Sequence, residues 1–191
     1  MCPVSQEHGA APADPRIVIA DLLMTLPITT ARLRLRPYRS QDIGRIHDVL
    51  YGDPAVRRLT GGVSTCAETQ ETIERYAAAH ERDGYSYWAV IQRDTGDLVG
   101  EAGLKPLDDA GPEVELGYAF AKRYWGRGYA TEAGRAVLDE AFRALGFAQV
   151  FATAREENAA SRHVLEKLGF SDAHRAEPRH PDLLYFVLER G

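Results

Sequence analysis

Cysteine is scarce in this chain: Cys2 and Cys66 are the only two in 191 residues. Two cysteines cannot build a disulfide framework, and neither has a CxxC neighbour, so a structural zinc site is not expected. Long apolar runs are missing as well. None approaches the roughly 18 residues that span a bilayer, and the opening Met1-Cys2-Pro3-Val4-Ser5-Gln6-Glu7 lacks the basic stretch of a signal peptide. These absences predict a cytoplasmic protein with no membrane partner. A surplus of positive charge is absent too: 23 Lys and Arg stand against 28 Asp and Glu, a net charge of −5. That argues against a nucleic-acid binder relying on bulk phosphate attraction. What is present is an ordinary globular balance, 45% apolar and 27% charged, at a length of about one domain with enough chain for one core.

The patterning is uneven. Residues 1–28 hold four of the ten prolines (Pro3, Pro12, Pro15 and Pro27) and one short apolar patch around Ile17 to Met24, which predicts a flexible tail. Residues 29–191 then read as a single domain. Ala31-Arg32-Leu33-Arg34-Leu35-Arg36 alternates apolar and basic residues, the pattern of a half-buried strand ended by Pro37. Helices are expected after Ser40-Gln41-Asp42 and after Ser64-Thr65, the second ending at Gly84. Asp94-Thr95-Gly96 marks a hairpin turn between Tyr85–Arg93 and Asp97–Lys105. A strand over Glu113–Phe120 precedes the strongest helix, where Ala130, Ala133, Val137, Ala141 and Leu145 recur at three- and four-residue steps and Gly146 stops it. A strand at Phe147–Ala154, a helix at Ala159–Leu168 and two strands near Phe170–Ala173 and Leu183–Leu188 complete a mixed α/β order.

The chemistry concentrates where the strand over Glu113–Phe120 meets that helix. Ala121-Lys122-Arg123-Tyr124-Trp125-Gly126-Arg127-Gly128-Tyr129-Ala130 is a turn with two glycines one residue apart, opening directly into the helix. Glycine lets backbone approach a ligand closely. The first N–H groups of a helix have no internal partner and sit at the positive end of its dipole, which makes an anion site. Lys122, Arg123, Arg127 and Arg135 gather positive charge there. A ligand bearing phosphate is the physical inference. A Walker loop, GxxxxGK[ST], is absent, and the residue three after Gly128 is Thr131, so the dinucleotide fingerprint is incomplete.

Arg123-Tyr124-Trp125-Gly126-Arg127-Gly128-Tyr129-Ala130 resembles the [QR]-x-x-G-x-[GA] acetyl-CoA motif of the GNAT superfamily of N-acetyltransferases. The longer string, Glu115-Leu116-Gly117-Tyr118 followed by Trp125 to Ala133, is similar to the RimJ/RimL-type branch. Thr30 to Arg36 resembles its first strand, and Asn158-Ala159-Ala160-Ser161-Arg162 through Leu165-Glu166-Lys167-Leu168-Gly169-Phe170 its fourth helix. The resemblance spans about Thr29 to Leu188. It implies a central, mostly antiparallel sheet flanked by helices and splayed at the cofactor strand, with acetyl-CoA as co-substrate and no metal. Carried over, backbone amides from Arg123 through Ala130, including Gly126, Arg127, Gly128 and Tyr129, would hold the pyrophosphate. Tyr118, Ala119 and Phe120 would pair with the pantetheine arm, and Asn158 would contact CoA or cap its helix.

The implied reaction is transfer of an acetyl group to a primary amine, either a protein N-terminus or a small amine. It needs a proton for the departing thiolate and a donor for the developing oxyanion. Many family members keep a tyrosine for the thiolate where this chain has Leu165; RimL-like members have a serine where Ser161 stands, so the resemblance implies Ser161 as the acid. For the base, Glu115, Glu101, Glu177 and His180 stay open, as does solvent. His47, His80 and His163 have no spaced partners and read as surface or core residues. Acceptor-pocket loops are expected near Leu59–Thr65, Leu107–Pro112 and Arg175–Asp182. A non-catalytic acyl-CoA-binding module on the same fold is the competing reading, and a homodimer is one open oligomeric state.

Overall fold

Leu33 and Leu35 are completely buried while Arg34 between them is exposed, so the alternating segment does form a strand. The computed structural model describes residues 26–109, 111–174 and 182–191. Eight strands make one sheet: β1 (Ile28–Thr29), β2 (Leu33–Arg36), β3 (Tyr87–Gln92), β4 (Leu98–Pro106), β5 (Val114–Phe120), β6 (Gln149–Arg155), β7 (Ser171–Asp172) and β8 (Leu183–Glu189). Their spatial order is β1-β2-β3-β4-β5-β6-β8-β7, antiparallel at every step except β5 to β6. The mixed α/β fold and the mostly antiparallel sheet are as expected.

Among the described residues five α-helices flank the sheet: α1 (Asp42–Ile46), α2 (Pro54–Arg57), α3 (Cys66–Asp83), α4 (Tyr129–Arg143) and α5 (Ala159–Leu168). Thr65 caps α3 reciprocally with Glu68, and Gly84 ends it in the left-handed conformation. The α4 stripe falls as the spacing predicts, burying Ala133, Val137, Leu138 and Ala141. Alternate residues of β5 face opposite layers: Leu116 and Phe120 are buried toward α4 and α5, while Gly117 lies under Tyr87 on the α3 side. Among the described residues no helix is long and apolar enough to cross a membrane.

Two boundaries differ from the sequence expectation. Ile28 pairs with Leu35 and is buried, so a tail boundary after residue 28 cuts a strand; residues 1–25 lie outside the described ones. The helix begun at Asp42 passes after one turn into a π-turn, His47–Tyr51. The wider turn breaks the 3.6-residue period, and such bulges gather at functional sites. Here it delivers Tyr51 to the middle of the sheet.

Candidate active site

The glycine-rich turn is built around two left-handed residues, Gly126 at φ 73° and Gly128 at φ 78°. Gly128 stands at the N-cap of α4, with no side chain capping the helix. The first amides of α4 therefore open onto the turn. Arg123 and Arg127 lie over the Tyr124 ring, at 4.9 and 5.3 Å, which fixes two cations beside that opening. The half-exposed Trp125 is tied down by its Nε1, which donates to the Phe120 carbonyl at 2.6 Å.

Arg32, a hundred residues upstream, holds the turn from behind. Its Nε and Nη2 donate to Glu132 at 2.7 and 2.6 Å, its Nη1 donates to the Arg127 carbonyl at 3.0 Å, and its guanidinium covers the Tyr129 ring at 4.7 Å. Burial raises the Glu132 carboxyl, but hydrogen bonds from Thr30 and Arg32 outweigh that and hold it below the usual range. A trans peptide points its C=O and N–H in opposite directions. Anchoring the Arg127 carbonyl on Arg32 therefore turns the Gly128 N–H outward. Neither Arg32 nor Glu132 shows this role in sequence.

Beside the turn the sheet opens. β5 and β6 are joined by one register pair, Glu115 to Phe151, and beyond it the strands diverge, as the resemblance led us to expect. Glu115 secures that last rung: its Oε1 accepts from Thr153 Oγ1 across the strands at 2.6 Å, and its Oε2 lies 3.5 Å from Lys105 Nζ. Both oxygens are engaged in holding strands together.

The opening is the mouth of a cleft of about 890 Å³. Tyr118, Asn158, Ser161 and Leu165 line one end. Asn158 caps α5, its Oδ1 accepting from the Ser161 N–H at 3.1 Å. The Tyr118 hydroxyl meets Ser161 twice, 3.1 Å from Oγ and 3.2 Å from the carbonyl oxygen. Burial pushes the Tyr118 phenol up to about 12, the serine contact acting in the opposite sense. Leu165 is wholly buried and offers no proton.

Glu101 forms the floor at the other end, 4% exposed. Its Oε2 accepts from Tyr38 at 2.7 Å and Tyr51 at 3.0 Å, and Oε1 shares the Tyr51 hydroxyl at 3.1 Å. Burial raises its carboxyl above the usual range, and the two phenols and the Arg57 charge only partly offset this. Tyr38, Tyr76 and Tyr87 stack above it with centroids 6.4 and 5.0 Å apart. A Cβ on Gly117 would lie 1.6 Å from the Tyr87 hydroxyl, so glycine there lets the ring settle on β5.

Residues 32–171 match the acetyltransferase (GNAT) domain family. The chain belongs to that family. It is 34% identical to YkkB of Bacillus subtilis over 143 residues, covering 74% of this chain and 83% of that one. An acetyltransferase from Agrobacterium tumefaciens shares its fold at 24% identity and TM-score 0.75, over 98% and 100% of the two chains. RimL, a ribosomal L7/L12 α-N-protein acetyltransferase solved with coenzyme A, does so at 15% identity and TM-score 0.73, over 86% and 97%. The chain is thus an acetyl-CoA-dependent N-acetyltransferase. Its uncapped helix start, left-handed glycines and splayed strands suit a pyrophosphate and an extended thiol arm.

Ser161, Tyr118 and Asn158 share one end of the acetyltransferase cleft, and Glu101 and Glu115 also line it. Glu177 and His180 lie outside the described residues. His47 is bonded to Thr69, His80 meets Trp88 edge-on and His163 is exposed beside Glu166. No group of metal-ligating side chains occurs among the described residues. Sequence reasoning missed Tyr38, Tyr51 and Tyr76, which come from three separate elements and have no spacing in common.

Proposed function

We propose that this enzyme acetylates a primary amine, on a protein N-terminus or a small molecule, inside the 890 Å³ cleft. The observation that carries the reading is one cavity joining the strand splay, the Ser161–Tyr118 pair and a buried carboxyl. The amides from Arg123 to Ala130 hold the pyrophosphate, and Tyr118, Ala119 and Phe120 present strand backbone to the pantetheine arm. Bound acetyl-CoA supplies a thioester whose carbonyl carbon accepts the amine lone pair as the C–S bond breaks.

The chain's own groups then manage protons and charge. A backbone N–H of β5 on the open side donates to the developing oxyanion. Ser161 Oγ gives its proton to the departing sulfur and draws one from Tyr118, whose hydroxyl lies 3.1 Å away and regains its proton from solvent as the products leave. Glu101, with its raised affinity for protons, receives the proton lost by the amine. Glu115 serves as the peg of the splay rather than as base. The buried Leu165 favours the alternative of a non-catalytic acyl-CoA sensor, but the Ser161–Tyr118 pair provides the acid that leucine lacks.

The test is thiol release from acetyl-CoA with a panel of amines that includes short peptides with free N-termini. Ser161→Ala lowers kcat by about 100-fold, the lower end of general-acid contributions, with CoA affinity little changed. Tight CoA binding without release on any amine establishes the sensor instead.

A further inference from the structure

The charges lining the acceptor half of the cleft do not cancel. Arg82 is paired with Asp83, Lys105 with Glu115, and Arg155 with Asp182. Three charged residues remain without an ion-pair partner among the described residues: Glu101 on the floor, and Arg57 and Arg75 on the wall. All three line the cleft. Arg57 donates to the Gly62 carbonyl at 2.9 Å and its guanidinium lies 5.0 Å from the Tyr51 ring centre, the ring whose hydroxyl bonds Glu101. Arg75, one residue before Tyr76, donates to the Thr72 hydroxyl at 3.1 Å. The Tyr76 hydroxyl in turn lies 3.3 Å from that of Tyr51. Arg57 is thus one tyrosine ring from the floor carboxyl, and Arg75 lines the same cleft.

We infer that the acceptor is an amine carrying one or more carboxylates close to its reactive nitrogen. This deepens the acetyl-transfer reading and rests on it. An ammonium approaching the floor finds Glu101, which stabilises the bound cation and then takes the proton that frees the nitrogen for attack. Among the described residues, two guanidinium groups against one carboxyl leave the lining with excess positive charge. A polyamine meets repulsion there, whereas an acidic acceptor satisfies both guanidiniums. Arginine suits the task because its planar fork matches a carboxylate. The shared chemistry, amine plus nearby carboxylate, is supplied by a free dicarboxylic amino acid or by a peptide with acidic residues after its free N-terminus.

The experiment compares kcat/KM of the full chain with acetyl-CoA and five acceptors: L-glutamate, the peptide amides Ala-Asp-Asp, Ala-Ala-Ala and Ala-Lys-Lys, and spermidine. One of the two acidic acceptors should exceed both cationic ones by about tenfold, the scale of two partly screened charge pairs. L-glutamate leading identifies the free amino acid as source, and Ala-Asp-Asp leading identifies the peptide. The acidic advantage should shrink as salt rises. Arg75→Gln, on an exposed helix position that leaves folding undisturbed, should cut the acidic-to-neutral ratio several-fold, and Arg75→Glu should reverse it; Arg57→Gln tests the second contact. Equal or faster turnover of spermidine or Ala-Lys-Lys overturns the inference while acetyl transfer stands, as does an unmoved ratio in both glutamine variants. Thiol release with none of the five overturns both readings.

Discussion

Replacing Arg32 with alanine tests whether the glycine turn is held in shape or merely exists. The side chain makes a paired contact with Glu132, one bond to the Arg127 carbonyl and a face contact with Tyr129. It is 46% exposed, so the ion pair is discounted for solvent to about 1 kcal/mol. The carbonyl bond adds about 1 kcal/mol, part of which water restores in the variant. A total of about 1–2 kcal/mol corresponds to a factor of about 5–30. If the contact orients the Gly128 N–H, that factor falls on pyrophosphate binding. The assay compares acetyl-CoA with S-acetyl-pantetheine, which has no pyrophosphate. The variant should lose about 5–30-fold in kcat/KM for acetyl-CoA and change little with the truncated donor. Equal losses on both donors would mean that Arg32 only stabilises the fold; no loss on either would mean that the turn holds its shape unaided.

Gly126→Val tests the turn from its own backbone. A Cβ there meets nothing within 4 Å, so the cost is the left-handed φ alone, at least about 1–2 kcal/mol for a residue with a side chain. Calorimetry should show CoA bound at least about fivefold more weakly, and undiminished affinity in a folded variant refutes the anion site. Glu101→Gln tests the buried carboxyl by its pH signature. Because burial raises its folded pKa, the stability it confers is complete below its unfolded pKa near ~4.3 and is lost as pH rises through the folded value. Glutamine still accepts from Tyr38 and Tyr51 but carries no charge. Denaturant melts should therefore show the variant gaining on the parent between acid and neutral pH, and a gap that is flat or runs the other way contradicts a raised pKa.

The fold was legible where local pattern and long-range packing agree. Alternation in Leu33 to Arg36, the stripe from Ala130 to Ala141, and glycines at positions 84 and 146 mark elements because burial and backbone torsion act within a few residues. The glycine turn was legible because its chemistry is backbone chemistry. Glu115 was harder: an acid on the cofactor strand reads equally as base or strut, and only the position of Thr153 on the neighbouring strand distinguishes them. The Glu101 floor depends on Tyr38, Tyr51 and Tyr76 converging from a loop, a π-turn and a helix, and the π-turn itself hides Tyr51 from a 3.6-residue reading. The Arg32–Glu132 latch spans a hundred residues that no short-range pattern connects.

The one-rung junction at Glu115 and Phe151 makes this sheet two leaves sharing a spine, with β1 to β5 on one side and β6, β8 and β7 on the other. Helix α4 touches both leaves and binds them on one face, while the opposite edge of the gap lies open. On the proposed reading, a pantetheine arm laid in that gap would supply the pairing that the protein itself omits. Folding stability and ligand occupancy then become one coupled quantity, because each bound molecule closes a seam that the bare chain leaves unsewn. Amide exchange along β6 and β8 would register that coupling as slower opening of the smaller leaf when the gap is filled.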